Sequence, residues 1–443
     1  MSDKKTIGFV ALGCAKNQIN TELMINVVAK AGYTVTGEIE MSDVTVINTC
    51  GFIEDAKKEA LDVIFEAAAL KSEGKIKKII VCGCLPQRYP DDIDKELYEV
   101  DGFLGVGSFQ NIVPAIERVL AGERVIDFGD LKDIQLEGER TLINPYYSAY
   151  LKVADGCSNR CAYCAIPLIR GDFHSRPMEN IIAEGESLVK NGARELIVIA
   201  QDTTNYGIDI YGERKLPELL RALCKIEGLD WLRVMYLYPD KITDELIEVI
   251  KTEDKIVKYI EMPVQHASGE TLSRMNRPGN KESLLSLVKK LRNEIPGVIL
   301  RTTLMVGFPG ETEEEFSELC DFVKKAQFDK LGVFQYSAEE DTPARDFENQ
   351  IEDSVKEARA ENIELIQSVI VEKKQELLVG RELSVLCEGY DRYGECYFGR
   401  SYMEAPDIDG KIFFTSDTPV NAGDMVDVRI TECMDFELIG ESI

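Results

Sequence analysis

The sequence predicts an α/β protein in three parts: a Rossmann- or flavodoxin-like parallel sheet, a partial TIM-type (β/α)6 barrel, and a small antiparallel β-barrel of OB-like size. Three observations predict it. Apolar runs alternate with amphipathic helical stretches over residues 1–130. Six further apolar runs, each followed by a helical pattern, fill residues 145–375. Short alternating runs separated by Gly and Asp crowd residues 376–443.

In the first part KTIGFVALG, VTVINT, KKIIVCG and VDGFLGVG read as buried strands, with helical stretches at residues 21–31 and 53–72 between them. Strands separated by helices imply a parallel sheet with right-handed crossovers. The polar stretch GDLKDIQLEGERTLINP closes this part near Pro145. In the second part AYLKVADG, ELIVIAQD, LRVMYLYP, KYIEMPVQ, VILRTTLMVGFP and KLGVFQYS supply six β/α units. The acidic loop SAEEDTPARDFENQ ends the pattern, and a long helix follows over residues 354–378. After Gly380 the runs LSVLCEGY, GECYFGRS, GKIFFTS, DMVDVRITEC and DFELIGE give five short strands.

Charge narrows the partners. The chain has 443 residues with 51 basic and 79 acidic side chains, a net charge of −28. Gly380 to Ile443 alone carries 5 basic and 14 acidic residues, or −9. Such a surface repels nucleic-acid phosphates unless its charges segregate, and it favours a basic macromolecule. No apolar run approaches the ~20 residues that span a bilayer. The charged, then strand-like start lacks a signal-peptide core, so a cytoplasmic protein with no membrane association is expected.

Twelve cysteines accompany two histidines. In a large cytosolic chain grouped cysteines are read as metal ligands or redox groups before disulfides. DGCSNRCAYC places Cys157, Cys161 and Cys164 at C-x3-C-x2-C spacing directly after the first barrel strand. Three thiolates on one loop can hold three irons of a [4Fe–4S] cube and leave the fourth open, as a catalytic centre requires. Loops after barrel strands lie on the face where active sites gather. A closed zinc site would need a fourth ligand, for which His174 is the local candidate, at a spacing unlike zinc knuckles.

Cys14, Cys50 and Cys84 are distant in sequence, yet each follows one of the first three strands. Strand ends of a parallel sheet share one edge, so three thiols meet at one rim. Gly13 and Gly83 precede two of them and free the backbone to turn. A buried cysteine alone is usually a small hydrophobe; three equivalent positions point to a second [4Fe–4S] cluster with an open iron. Cys82 competes with Cys84 but lies inside the strand, whereas Cys84 is at its exit. Cys224, Cys320, Cys387, Cys396 and Cys433 read as packing residues.

The C-x3-C-x2-C loop, with Tyr163 before its last cysteine, resembles the radical S-adenosylmethionine superfamily. That resemblance implies that the open iron chelates S-adenosylmethionine, from which one electron releases a 5′-deoxyadenosyl radical. Two three-cysteine sets with a terminal β-barrel resemble the methylthiotransferases over essentially the whole chain: an N-terminal methylthiotransferase domain (1–130), a radical S-adenosylmethionine domain (145–375) and a TRAM domain (376–443). In that family the N-terminal cluster carries the sulfur that is methylated and inserted.

Two branches compete. One modifies an adenosine beside the tRNA anticodon; the RimO-type branch modifies the β-carbon of an aspartate of small-subunit ribosomal protein S-twelve. GCAKNQINTE, DGCSNRCAYCAIPLIRGDFHSRP, QDTTNYGID, MPVQHASGETLSRMNRPG and FQYSAEEDTPA look like the second branch. MNRP leans toward the first. The acidic terminal barrel favours a basic ribosomal protein over RNA. A non-catalytic iron–sulfur or RNA-binding scaffold stays open as a third reading.

The resemblance implies a flavodoxin- or ferredoxin-type electron donor, and a monomer is expected because the enzyme must dock on the small ribosomal subunit. Tyr163, Glu195, Gln201, Gln265 and Arg301 are candidate cofactor contacts. Gly192, in NGARE, reads more readily as a helix cap. Gly307 and Gly310 suit either close backbone approach or a tight turn. His174 and His266 read as loop residues with satisfied hydrogen bonds. The acidic loop around Glu339 and Glu340 reads as solvated surface that could also grip a basic substrate.

Overall fold

The computed structural model describes residues 5–134, 136–143, 145–434 and 436–443. Residues 1–4 of the first expected domain, Gln135 and Asn144 of the polar stretch, and Asp435 opening the last expected strand lie outside the described residues. The chain forms two compact units. One comprises residues 1–144, 152–180 and 337–345; the other comprises 145–151, 181–336 and 346–443.

The first unit is built on six strands: β1 (Thr6–Ala11), β2 (Thr34–Thr36), β3 (Val44–Thr49), β4 (Lys78–Gly83), β5 (Gly102–Gly107) and β6 (Val125–Gly129). Their order is β2-β1-β3-β4-β5-β6 and every pairing is parallel. Helices cover both faces, so the inner strands are apolar without a polar side. Alternate residues divide between two cores. Val46, Ile80 and Leu104 pack with Met24, Val28 and Ile116. Ile47, Ile79, Val81 and Phe103 pack with Ala60, Ile64 and Ala67 on the other face.

The sequence reading found four of these strands and missed β2 and β6. Both are edges; TVT and VIDFG are short, partly exposed and interrupted by polar residues, so neither reads as a buried run. The polar connector also packs: Arg140 meets Glu22 at 3.0 Å with both side chains almost inaccessible. The chain then forms β7 (Ser148–Lys152) and re-enters this unit, where β8 (Ala154–Asp155) pairs antiparallel with β9 (His174–Ser175).

In the second unit β7 joins β10 (Glu195–Ile199) and β11 (Trp231–Val234), and β12 (Tyr259–Glu261) joins β13 (Ile299–Val306) and β14 (Lys330–Gln335). A single parallel bridge, Leu232 to Ile256, stands between the two three-stranded sheets. Helices Met178–Lys190, Leu216–Leu223, Asp244–Thr252, Lys281–Glu294, Glu313–Ala326 and Asp353–Glu376 follow the six strands in turn. The six expected β/α units are therefore present. Reciprocal caps fix two helix starts, Asn280 with Ser283 and Thr312 with Glu315. Gly192 follows the first helix of this series as expected, its N–H bonded to the Val189 carbonyl at 3.0 Å.

The terminal barrel closes in the order β15 (Glu382–Asp391), β16 (Cys396–Arg400), β17 (Ile412–Thr415), β19 (Glu437–Ser442), β18 (Met425–Met434). Val385, Cys387, Ile412, Phe414, Val428, Ile430 and Leu438 fill it. Four pairings are antiparallel, as expected, and one, β17 with β19, is parallel. An odd number of strands cannot close with every neighbour reversed. Among the described residues no helix is long and apolar enough to cross a membrane.

Candidate metal centres: two three-cysteine sets

The sheet order makes β1, β3 and β4 neighbours, and Cys14, Cys50 and Cys84 come just past their carboxyl ends. The order reverses between β1 and β3, the point where parallel sheets open a crevice for ligands. Cys14 caps the helix Ala15–Lys30 and Cys84 opens the short helix Cys84–Arg88. Gly13 turns at φ +87°, and a Cβ there would lie 2.7 Å from the Cys50 Cβ. Gly83 turns at φ +100°, where a Cβ would meet Asn48 Oδ1 at 2.3 Å. Both glycines expected from the sequence are thus required for the close approach of these chain segments.

Asparagines tie the rim together. Asn17 Nδ2 donates to the carbonyls of Leu12 (3.1 Å) and Thr49 (2.8 Å). Asn48 Nδ2 donates to the Asn17 carbonyl (2.9 Å) and to Thr21 Oγ1 (2.8 Å). The Cys84 thiol points to Asn17 Oδ1 at 3.6 Å, and Arg170 donates to the Cys84 sulfur at 3.5 Å. Cys82 is fully buried within β4, in register with Asn48 and Leu104, so it belongs to the core and not to the rim.

The three thiols feel one another. Burial lifts the Cys50 thiol to about 12, and the neighbouring Cys84 and Cys14 add to that lift. Burial also raises Cys84, against the pull of Arg170. Cys14 touches solvent although protein packs closely around it. Burial raises its thiol, but Lys16, Arg170 and the N–H groups of Asn17 and Lys16 outweigh that, leaving it below the ordinary value.

The second set occupies the loop after β8. The Cys157 N–H reaches the Gly171 carbonyl (3.2 Å) and the Cys164 N–H closes a turn on the Cys161 carbonyl (3.0 Å). Ser158 Oγ accepts the Phe173 N–H at 3.1 Å. Arg160, in the left-handed region at φ 55°, pairs with Asp172. Cys161 is buried, while Cys157, Tyr163 and Cys164 keep partial exposure. The helix Ile166–Arg170 starts directly after this loop.

Residues 337–345 correct one expectation. Glu339 is 5% exposed, not solvated surface. Its carboxylate accepts from Arg88 at 2.9 Å and from the Glu54 N–H at 3.2 Å. Arg88 also binds the Gly51 and Phe52 carbonyls, directly after Cys50. The same segment reaches the second set, where the Ala344 N–H binds the Ala162 carbonyl at 2.9 Å. Sequence reasoning missed Asn17, Arg88 and Arg170. Asn17 and Arg170 lie inside runs quoted above and Arg88 four residues past Cys84, but a polar residue carries no sign of its partner.

No disulfide joins the cysteines. Among the described residues no three His, Cys, Asp or Glu side chains already converge on a metal-sized position. The donor chemistry nevertheless fits iron–sulfur clusters. Each set offers three thiols and no imidazole, and the first lies against the Arg170 guanidinium, which balances thiolate charge.

The remaining candidates fall at opposite ends of the second unit's strands. Gln201 follows the carboxyl end of β10. Gln265, in the left-handed region at φ 68°, exchanges backbone bonds with Thr303 and Met305 near the carboxyl end of β13. Glu195 instead starts β10, with its carboxylate held by Arg233 (2.8 Å) and Arg400 (2.9 Å). Burial alone would raise it; Arg400 and Arg233 outweigh burial and hold it at about 2. Arg301 pairs with Asp409 of the terminal barrel at 3.1 Å. Both charges are committed to binding the terminal barrel to the amino ends of the strands. Glu311 folds back on the Gly307 and Phe308 N–H groups, so that segment forms a closed turn. His266 is fully buried, with Nδ1 accepting the Ser268 N–H at 3.0 Å and Nε2 lacking a partner, so the expected satisfaction is half met.

Comparison with known proteins agrees with this architecture. The model "Radical SAM superfamily" matches residues 151–323, "Uncharacterized protein family UPF0004" matches 6–105, and "TRAM domain" matches 379–443. The chain is 46% identical to the ribosomal protein uS12 methylthiotransferase RimO of Thermoanaerobacter sp. (strain X514), over 99% of this chain and 100% of that protein. It is 44% identical to RimO of Clostridioides difficile (strain 630), over 98% of each. The solved structure of TsrM from Kitasatospora setae, a radical S-adenosylmethionine methyltransferase, superposes with TM-score 0.58 at 13% identity, covering 88% of this chain and 79% of that one. OxsB, a cobalamin-dependent S-adenosylmethionine radical enzyme, gives TM-score 0.52 at 11% identity, covering 83% of this chain and 56% of that one. These two structures speak for the fold alone. End-to-end identity to the curated relatives settles membership: the chain belongs to the RimO family of methylthiotransferases, within the radical S-adenosylmethionine superfamily.

Proposed function

We propose that this chain adds a methylthio group to the β-carbon of an aspartate of ribosomal protein uS12, using S-adenosylmethionine and two [4Fe–4S] clusters. One observation carries the reading: both cysteine sets lie in the same compact unit of a chain matched end to end by relatives named ribosomal protein uS12 methylthiotransferase. Cys157, Cys161 and Cys164 are assigned to the cluster that engages S-adenosylmethionine, and Cys14, Cys50 and Cys84 to the one that presents sulfur. When bound, these groups supply the electron, the hydrogen-abstracting chemistry and the sulfur that an unactivated methylene requires.

The chain's own residues bind, orient and shield. The β1, β3 and β4 ends set the spacing of three thiols, and the Asn17–Asn48 bonds keep those ends in place. Cys14, at a helix start beside Lys16, is held toward its thiolate. Glu339 and Arg88 clasp the segment after Cys50. Tyr163, Gln201 and Gln265 are assigned to the cofactor. Glu195 and Arg301 are given no part in it, because Arg233, Arg400 and Asp409 engage their charges.

A net charge of −28, with −9 on the terminal barrel, supports docking on a basic ribosomal protein rather than on RNA. A flavodoxin- or ferredoxin-type donor, action as a monomer in the cytoplasm, and domain limits at 1–130, 145–375 and 376–443 belong to the same proposal. Mass spectrometry of uS12 and of tRNA from a deletion strain tests it. The methylthio mass should vanish from uS12 and return on complementation; its loss from tRNA alone overturns the substrate.

A further inference from the structure

Arg170 is shared between the two cysteine sets. Its side chain is almost inaccessible, at 1% exposure. One guanidinium nitrogen donates to Asp155 Oδ2 at 2.8 Å, two residues before Cys157. The other donates to Asn17 Oδ1 at 2.5 Å and to the Cys84 sulfur at 3.5 Å. Arg170 also ends the helix that follows Cys164. It is therefore covalently part of the segment bearing one set and hydrogen-bonded to a thiol of the other.

Charge shows that Arg170 does more than neutralise Asp155. Lys152 already meets Asp155 Oδ2 at 2.9 Å and is itself bound to Asn20 Oδ1 at 2.8 Å. Burial pulls Lys152 toward its neutral form, whereas the Arg170 guanidinium stays charged and lies against the Cys84 sulfur as well as Asp155. The planar fork of arginine can serve Asp155 and the sulfur together, and lysine's single nitrogen cannot reproduce that geometry.

We propose that Arg170 is a positioning residue that fixes the two cysteine sets relative to each other and, through its bond to Cys84, raises the reduction potential of the cluster held by Cys14, Cys50 and Cys84. The inference rests on the reading of those three cysteines as cluster ligands. A hydrogen bond to a ligand sulfur, and a buried positive charge beside it, stabilise the reduced cluster over the oxidised one. Removing Arg170 should therefore lower the potential of this cluster and loosen its register with the other.

The test uses the full chain, reconstituted without oxygen, with Cys157, Cys161 and Cys164 all replaced by Ala so that the first set alone binds iron. Protein grown on 15N-arginine should show nitrogen hyperfine coupling to the reduced cluster in pulsed electron paramagnetic resonance. Arg170→Lys should abolish that arginine coupling. In redox titration Arg170→Met should shift the reduction equilibrium about tenfold toward the oxidised form, ~59 mV for one electron, with Arg170→Lys recovering part. With all six cysteines present, Arg170→Met should raise severalfold the ratio of 5′-deoxyadenosine to methylthiolated uS12. Absent coupling in protein that holds four irons, or an unmoved midpoint in Arg170→Met, overturns the proposal. If the triple-Ala protein holds no iron, the cluster assignment of the first set falls and takes this inference with it. Should Arg170→Met not fold, the 15N measurement on the arginine-containing protein decides by itself.

Discussion

The two cysteine sets solve one problem in different ways. Cys157, Cys161 and Cys164 are local: eight residues of loop carry all three thiols, and a turn bond between Cys164 and Cys161 holds the end of the loop. Cys14, Cys50 and Cys84 are assembled by the sheet, which brings three strand ends together across gaps of 36 and 34 residues. A local set depends on the loop's own conformation; a dispersed set depends on the register of a whole parallel sheet. The difference matters for robustness, because a shift in strand register moves Cys14, Cys50 and Cys84 apart and leaves the spacing of Cys157, Cys161 and Cys164 intact.

The largest expected effect separates the sets by output. Replacing Cys157, Cys161 and Cys164 with Ala should eliminate 5′-deoxyadenosine formation while about four of about eight irons remain. Replacing Cys14, Cys50 and Cys84 should also leave about four irons, keep S-adenosylmethionine cleavage and eliminate methylthio transfer. Iron analysis and product chromatography on both variants check this. Equal loss of both activities in both variants would erase the functional distinction.

A glycine in each region sharpens the comparison further. Gly83→Ala places a Cβ 2.3 Å from Asn48 Oδ1 at φ +100°, and Gly156→Ala places one 2.1 Å from the Asp172 carbonyl oxygen at φ +73°. Strain and overlap together should cost about 2–4 kcal/mol at either position. The iron lost should differ: Gly83→Ala should deplete the first set, and Gly156→Ala the second. Urea denaturation with iron counted at each set, by the cysteine variants above, reads both effects.

A residue outside both sets gives the control. Glu195→Gln takes the carboxylate from Arg233 and one of two from Arg400, which keeps Glu388, and should cost about 3 kcal/mol, with S-adenosylmethionine cleavage per folded molecule unchanged. Its carboxyl is held at about 2 in the fold by Arg400 and Arg233. A depressed carboxyl stabilises the fold fully above its unfolded value and loses that contribution as pH falls through the folded value. The contribution, about 3 kcal/mol for a shift of this size, should therefore fade between roughly pH 4.5 and pH 2. Comparing acid denaturation of the natural protein and the Gln variant isolates it, and parallel curves would show that the ionisation of Glu195 adds no stability.

The local set and the six β/α units were legible because their signals are contiguous: a cysteine spacing, and apolar runs followed by helical periodicity. The dispersed set was legible only through strand order, since each cysteine alone reads as a small hydrophobe. The edge strands β2 and β6 were not visible, because a half-exposed edge needs few apolar residues. Neither were the buried ion pairs. Glu339 sits in an acidic loop that reads as surface, and its burial is decided by Arg88, more than two hundred residues away. The ion pairs of Glu195 and Arg301 were equally out of view. Both lie on barrel strands, but at the end that the terminal barrel covers. Sequence reports which strand carries a residue more readily than which end it occupies.

The smallest expected effect tests the boundary between the sheet and the rim. Cys82 and Cys84 are two residues apart, and spacing alone puts them on the same side of a strand. The structure separates them by where the strand stops: β4 ends at Gly83, and the turn there carries Cys84 out toward Asn17 and Arg170. Cys82 stays between Asn48 and Leu104 in the core. Cys82→Ala should then remove only packing, about 1 kcal/mol, with the iron content unchanged. Cys84→Ala should lose the first cluster at little cost to the apo fold. Iron counts that fall in Cys82→Ala and hold in Cys84→Ala would move the third ligand inside the strand, and would make the dispersed set a feature of the sheet's interior instead of its rim.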